Sequence, residues 1–137
     1  MINYHELISE CNKKINKALR NINFCVRHDE ICKRKILDFN NQINNLLKAD
    51  YLDHDKLNDL TNDINMHKSY NLLINQNKEA AEKFVTFLNK NKFDLETIYN
   101  NTELPEKIKQ EKYIEIFNQI EFAEKIWYKG DNYTLFL

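Results

Sequence analysis

The sequence predicts an all-α protein, an up-and-down helical bundle of four to six helices. Apolar or small residues recur with a seven-residue period between residues 8 and 46, at eleven of twelve positions, which is typical of helices that bury one seam. One glycine and one proline in 137 residues are too few for a fold of strands and turns. A content of 42% hydrophobic and 30% charged residues excludes a disordered chain. The two series of the repeat are Ile8, Ile15, Ile22, Asp29, Ile36 and Ile43, and Cys11, Ala18, Cys25, Cys32, Phe39 and Leu46.

The first two helices are predicted to form a hairpin with coiled-coil-like heptad packing. Asn3 and Glu6 have the spacing of a capping box, which marks a helix start. Asp29 is the one charged residue on the seam, and it is suited to cap a second helix over about residues 30–48. We therefore expect the chain to turn between Arg27 and Asp29.

A second interpretation is that the helices run through these polar positions and form an extended coiled coil. The width of the apolar face favours the bundle, because a two-stranded coil places charges beside its seam. The residues that widen the face are Leu7, Leu19, Val26 and Leu47.

The remaining helices follow from local signals. A third helix is predicted from Asp53 or Asp55 to about Met66, with a continuation through Tyr70, Leu73 and Ile74 as an alternative, and a fourth over about 77–91. Asp94 is expected to cap a short helical turn. Residues 100–102 (Asn-Asn-Thr) predict a loop, and Pro105 suits the first turn of a last helix over about 103–128, which Gly130 would end. The apolar stripe predicted for this last helix is Tyr113, Ile116, Phe117, Ile120, Ala123 and Trp127.

Length and charge predict one domain, 1–137, with three regions. Residues 1–48 hold nine Lys or Arg against five Asp or Glu, a balance of +4, which leaves −5 for the rest. We thus distinguish a basic helical hairpin (about 3–48), an acidic helical remainder (about 53–128) and an apolar C-terminal tail (131–137).

Local motifs for chemistry are weak, and the prediction is that the chain is not an enzyme and has no catalytic residue, metal or cofactor. Three cysteines fit buried, reduced thiols of a cytoplasmic protein better than disulfides. Cys25 near His28 lacks an orienting third group, and it falls on the seam. The polar cluster at Asp50, Asp53, His54 and Asp55 is better explained by helix capping than by a metal site.

Basic residues on the back of the N-terminal hairpin are the strongest candidates for a contact surface. All three arginines of the chain are seven residues apart and lie opposite the seam. A solvated face and a surface for a polyanion or an acidic protein both explain this pattern. The candidate contact residues are Lys13, Lys14, Lys17, Arg20, Arg27, Lys33, Arg34 and Lys35. The apolar tail adds Tyr133, Leu135, Phe136 and Leu137, which either dock on the bundle or bind a partner.

These features favour a non-enzymatic protein–protein interaction module, such as a small inhibitor, immunity or counter-defence protein that binds and blocks another protein. The alternative is a nucleic-acid-binding protein that uses the basic end of the hairpin. Abundant Asn, Ile and Lys indicate an AT-rich genome, bacterial or phage. We expect no membrane partner, and a homo-oligomer is compatible with the sequence.

Overall fold

The computed structural model describes residues 2–128, and within them every regular element is an α-helix. The helices are α1 (Tyr4–Leu47), α2 (His54–Asn100) and α3 (Glu106–Ile126). The prediction of an all-α fold is confirmed. The predicted four to six helices are not, because two of the three helices are much longer than expected.

Helix α1 begins where the sequence predicts, and it continues past the predicted turn. The side chain of Asn3 accepts hydrogen bonds from the amides of His5 and Glu6, which confirms the N-cap. The predicted end of the first helix near Asp29 is wrong, because α1 is helical on both sides of this residue. Its carboxylate accepts hydrogen bonds from Asn71 and Asn75 of α2, so a polar residue on the seam is satisfied without ending the helix.

Helix α2 also runs through predicted interruptions. Asp53 caps it by accepting from the amide of Lys56, as expected for one of the two predicted starts. The predicted end near Met66 and the separate turn after Asp94 are wrong, because α2 is continuous to Asn100. No glycine or proline lies between residues 54 and 100, so nothing in the backbone forces these polar positions to end the helix.

The third helix follows the loop predicted at residues 100–102. α2 ends at Asn100, and Pro105 occupies the N-cap position of α3, one residue before the helical turn in which it was expected. Trp127 is the C-cap of α3. Gly130, which was predicted to end this helix, lies outside the described residues.

The helices alternate in direction, so that α2 is antiparallel to α1 and α3 lies beside the first half of α1. Gln110, near the start of α3, exchanges hydrogen bonds with the backbone of Ile2. Near the end of the described chain, Nδ2 of Asn21 donates to the hydroxyl of Tyr128 (2.9 Å). α3 therefore covers α1 from its start to about the level of Asn21.

The fold thus has two regions, which we call the base and the arm. The base contains three helices and comprises residues 2–28, 74–100 and 106–128. Of the elements in residues 2–128, the arm contains only α1 and α2, and it comprises residues 29–47 and 54–73, joined by 48–53. At 1.5 Å per residue, the arm extends about 28 Å beyond the base.

The main hydrophobic core lies in the base, between all three helices. Ala18, Ala81, Leu88, Leu95 and Ala123 are fully enclosed there. A smaller cluster of Cys25, Cys32 and Ile74 lies where the base meets the arm. Heptad packing of α1 against α2 remains a prediction.

Candidate partner-binding surfaces

The four cations spaced seven residues apart lie in a row along the exposed back of α1. Lys13, Arg20, Arg27 and Arg34 are all exposed, while Cys11, Ala18, Cys25 and Cys32, two residues before each of them, are buried. Seven helical residues advance about 10.5 Å, so the row spans about 31 Å. The prediction that these residues face away from the seam is confirmed.

The predicted clustering of these charges around the end of a hairpin is wrong. That arrangement required a turn between Arg27 and Asp29, and α1 is continuous there. Arg20 and Arg34 are consequently about 21 Å apart along one helix instead of facing each other across a turn. The basic surface is an extended line that crosses from the base into the arm.

The structure divides the eight candidate cations into two groups. Lys14 bridges to α3, with Nζ 2.8 Å from Glu124 and 3.8 Å from Glu121, and its side chain is only 18% exposed. Lys33 contacts Asp29 at 2.9 Å, and Lys13 contacts Glu10 at 3.5 Å.

Arg20, Arg27, Arg34 and Lys35 make no ion pair with any residue in 2–128, and all four are exposed. Lys17 is exposed and has a partner. The three arginines and Lys35 are therefore the candidate residues whose charge is most available to a ligand.

Two apolar side chains lie beside the arginine row, contrary to the prediction. Leu19 and Val26 were expected to widen the buried face, but they are 43% and 40% exposed. Each stands between a buried seam residue and an exposed arginine in the sequence, so it lies about 100° around the helix from both. We define Leu19, Arg20, Val26, Arg27 and Arg34 as the arginine face.

Leu47 was also predicted to lie on the buried face, and it is exposed near the tip of the arm. Of the four residues that suggested a wide apolar face, only Leu7 is buried. The apolar face of α1 is thus narrower than predicted, and its width does not support a division of this region into two short helices.

A second surface is a groove between α1 and α2 in the arm. Its walls carry mostly apolar side chains, with two histidines and one lysine. We define the arm groove by its lining residues, His28, Ile31, Cys32, Lys35, Met66, His67, Tyr70 and Ile74. The His28 ring stacks on Phe24 at 4.0 Å, and Nδ1 of His67 is 2.9 Å from the carbonyl of Asp63, so both rings are fixed in place.

A third surface is a group of aromatic rings on the base. Trp127 packs edge-on against Phe87 and Phe122, with distances between ring centroids of 5.4 Å and 6.5 Å, respectively. Trp127 and Phe122 are both more than half exposed. The stripe predicted for the last helix is therefore confirmed at Tyr113, Ile116, Ile120 and Ala123, and wrong at Trp127. Phe117, from the same stripe, is exposed as well.

The titratable groups that suggested chemistry serve structural roles. Burial raises the pKa of the Cys11, Cys25 and Cys32 thiols, so at neutral pH they are protonated and weak nucleophiles. The predicted burial of the cysteines is confirmed, and all three are free thiols. Asp53 caps α2, and no three His, Cys, Asp or Glu side chains in residues 2–128 are placed to hold a metal ion.

Two expectations concern other parts of the molecule. The apolar tail, with Tyr133, Leu135, Phe136 and Leu137, lies outside the described residues. Among residues 2–128, no helix has the length and apolar character needed to cross a bilayer.

Comparison with known proteins identifies no relative. The chain matches no protein-family model, no curated protein sequence and no solved structure.

Proposed function

We propose that this protein is a non-enzymatic interaction module that binds an acidic surface of another protein through the arginine face of α1. The observation that carries the proposal is the row of Arg20, Arg27 and Arg34, exposed and without an acidic partner among residues 2–128. By binding such a surface the protein blocks it, as small inhibitor, immunity and counter-defence proteins do.

The choice of arginine supports a protein partner. The chain uses lysine for most of its cations, and all three arginines stand in this one row. Arginine forms planar, paired hydrogen bonds with carboxylates and carries a weaker hydration shell than lysine, so it is better suited to an interface. Leu19 and Val26 add exposed apolar area beside two of the arginines. A nucleic acid backbone would gain little from these two side chains, whereas an amphipathic protein surface would cover them.

The spacing suggests the shape of the partner. The arginines recur every seven residues, about 10.5 Å apart on a straight helix. A partner helix with Glu or Asp at a seven-residue period presents carboxylates at the same interval. We infer that α1 and α2 pack with coiled-coil-like heptads, which keep this row on one side of α1 over its whole length.

Free, buried cysteines suit a reducing compartment, and we therefore propose that the protein acts in the cytoplasm.

The experiment compares binding by the natural chain and by the triple variant Arg20→Glu/Arg27→Glu/Arg34→Glu. The probe is a synthetic amphipathic helix with Glu at every seventh position, and affinity is measured by calorimetry at two salt concentrations. We expect the triple variant to lose at least about tenfold in affinity, as three charge-assisted contacts are reversed. The matched control is Lys56→Glu/Lys90→Glu/Lys107→Glu, which changes the net charge equally at exposed sites and should bind like the natural chain.

Two results would contradict the proposal. Equal losses in both triple variants would show that only net charge matters. If a mixed-sequence oligonucleotide binds more tightly than the acidic helix and loses affinity only in the arginine variant, the surface is a nucleic-acid site. A conservative variant, Arg20→Lys/Arg27→Lys/Arg34→Lys, separates charge from geometry, and we expect it to retain only part of the affinity.

A further inference from the structure

The arm groove continues the groove that holds α3 in the base. On α1, His28 and Lys35 follow Asn21 by seven and fourteen residues, and Asn21 bonds to Tyr128 at the end of the described chain. Cys32 follows Ala18, which lies in the core of the base, by fourteen residues. Residues a whole number of heptads apart lie on nearly the same side of a helix, so α1 presents the same side to α3 and to the arm groove.

Helix α2 shows the same continuity. Tyr70 precedes Phe84 by fourteen residues, and the Phe84 ring lies 4.9 Å from that of Tyr128. Met66 precedes Phe87 by twenty-one residues, and Phe87 packs against Trp127. The two walls of the arm groove are thus the direct extension of the two walls that enclose the C-terminal end of α3.

The chain leaves α3 at the entrance to this groove. α3 ends at Ile126, and Tyr128 is buried against Phe84 and Asn21. The nearest groove residue on α1, His28, is about 10 Å further along the helix axis, and Lys35 is about 21 Å further. Nine residues of the sequence, 129–137, follow this point.

The length and composition of those nine residues match the groove. At 3.3–3.6 Å per extended residue, residue 133 can reach at most about 18 Å beyond Tyr128 and residue 137 about 32 Å, so positions 133–137 span the level of the groove. Four of these five residues are apolar or aromatic: Tyr133, Leu135, Phe136 and Leu137. Met66, which lines the groove beyond the end of α3, is 44% exposed. Its side chain offers apolar surface to these tail residues.

We propose that residues 133–137 dock in the arm groove of the same molecule and serve there as a third element, in line with α3. The apolar tail then extends the packing of the base over the first part of the arm. The arginine face is a different surface of α1, because Arg27 and Arg34 precede the groove residues His28 and Lys35 by one position and lie about 100° from them around the helix.

Cys32 provides a reporter within the groove. In the full chain with Cys11→Ala/Cys25→Ala, Cys32 is the only thiol, and its rate of labelling by a maleimide measures how well the groove is covered. Replacing Leu135 and Phe136 by Asp should raise this rate about ten- to a hundredfold, the range expected when two apolar side chains lose their burial. The matched control, Leu72→Asp/Phe93→Asp, makes the same two changes at exposed positions of α2 and should leave the rate unchanged.

The results distinguish docking of the tail within one molecule from docking on a second copy or on another partner. Faster labelling in the tail variant alone, at a rate independent of protein concentration, supports docking within one molecule. An unchanged rate overturns the proposal and leaves the tail for another partner. A difference that appears only at high protein concentration also overturns it, because the tail would then occupy the groove of a second copy.

A second measurement covers the case in which the aspartate variants fold poorly. Leu135→Cys in the same background, under mild oxidation, should form a disulfide with Cys32 within one chain. Leu72→Cys, on an exposed part of α2, should not. Absence of the Cys32 crosslink at each of positions 133, 135, 136 and 137, or crosslinks only between chains, would contradict the proposal.

Discussion

The base and the arm share two helices and differ in one, and this difference determines how completely the same repeat is buried. In the base, Cys11, Ala18 and Cys25 are at most 1% exposed. In the arm, Cys32 next to the base is still buried at 6% exposure, while Phe39 and Leu46, further along the same series, are only partly buried. When only two helices pack together, side chains at the edge of their interface remain partly exposed to solvent. A third helix is needed to cover that edge. Position in the heptad therefore sets the direction of a side chain, and the number of neighbouring helices sets its burial.

The boundary between the two regions is marked by a polar contact. Asp29 accepts hydrogen bonds from Asn71 and from Asn75 (2.9 Å), and it pairs with Lys33 at 2.9 Å. Hydrogen bonds from Asn75 and Lys33 are the main causes that lower the pKa of Asp29 from 3.8 to about 2. A polar residue on a seam can fix the register of two helices, and we expect Asp29 to do so where α3 no longer contributes.

The largest expected effect is the loss of a core leucine in the base. Leu88 is fully buried among three helices, so Leu88→Ala should cost about 2–5 kcal/mol of unfolding free energy in urea denaturation. Leu60→Ala, in the arm, should cost about 2 kcal/mol or less, because two helices and solvent can close more easily around the gap. Equal losses at the two sites would refute the distinction between base and arm.

A smaller, pH-dependent effect is expected at the boundary. Because folding lowers the pKa of Asp29, its stabilisation is fully present above about pH 4 and is lost as the pH falls through about 2. Asp29→Asn should lower the unfolding free energy by about 1–2 kcal/mol at neutral pH, after allowance for solvent screening. The variant should also lose less stability than the natural chain when the pH falls from about 4 to about 2.

The measurement is urea denaturation at a series of pH values from 2 to 7. The matched control is Asp38→Asn, at an exposed position of the same helix, which should leave the pH dependence of the natural chain intact. If both variants change the pH profile alike, Asp29 has no special role at the boundary.

The smallest expected effect concerns the attachment of α3 to α1. Lys14→Ala removes the contacts with Glu121 and Glu124, and we expect a loss of about 0.5–1 kcal/mol with faster amide exchange in α3. Lys13→Ala, one residue earlier, removes only an exposed contact with Glu10 and should change stability by less than about 0.5 kcal/mol. Hydrogen exchange that rises equally in both variants would contradict this assignment.

The sequence predicts local features of this fold well, because their causes are local. The caps at Asn3 and Asp53 depend on a side chain and amides two or three residues away. The burial of the cysteines follows from their period. In the candidate contact surface, the outward direction of Arg20, Arg27 and Arg34 follows from the same period.

The helix boundaries were harder to predict because they depend on distant residues. Asp53 and Asp29 look alike as helix starts, yet only Asp53 caps a helix. Asp29 is satisfied by Asn71 and Asn75, 42 and 46 residues away, and no local pattern contains those contacts. The outward direction of each arginine was predicted correctly. Their predicted clustering at one end of a hairpin was wrong, because it depended on a turn between Arg27 and Asp29 that the structure does not contain.

The continuity of α1 has a mechanical consequence. Since base and arm are built on the same unbroken helix, there is no joint between them, and tilting the arm would require breaking backbone hydrogen bonds of α1 or sliding α2 along it. The structure therefore predicts that the arm and the base move together as one stiff unit. A partner on the proposed arginine face would then be held at a set distance and orientation from α3.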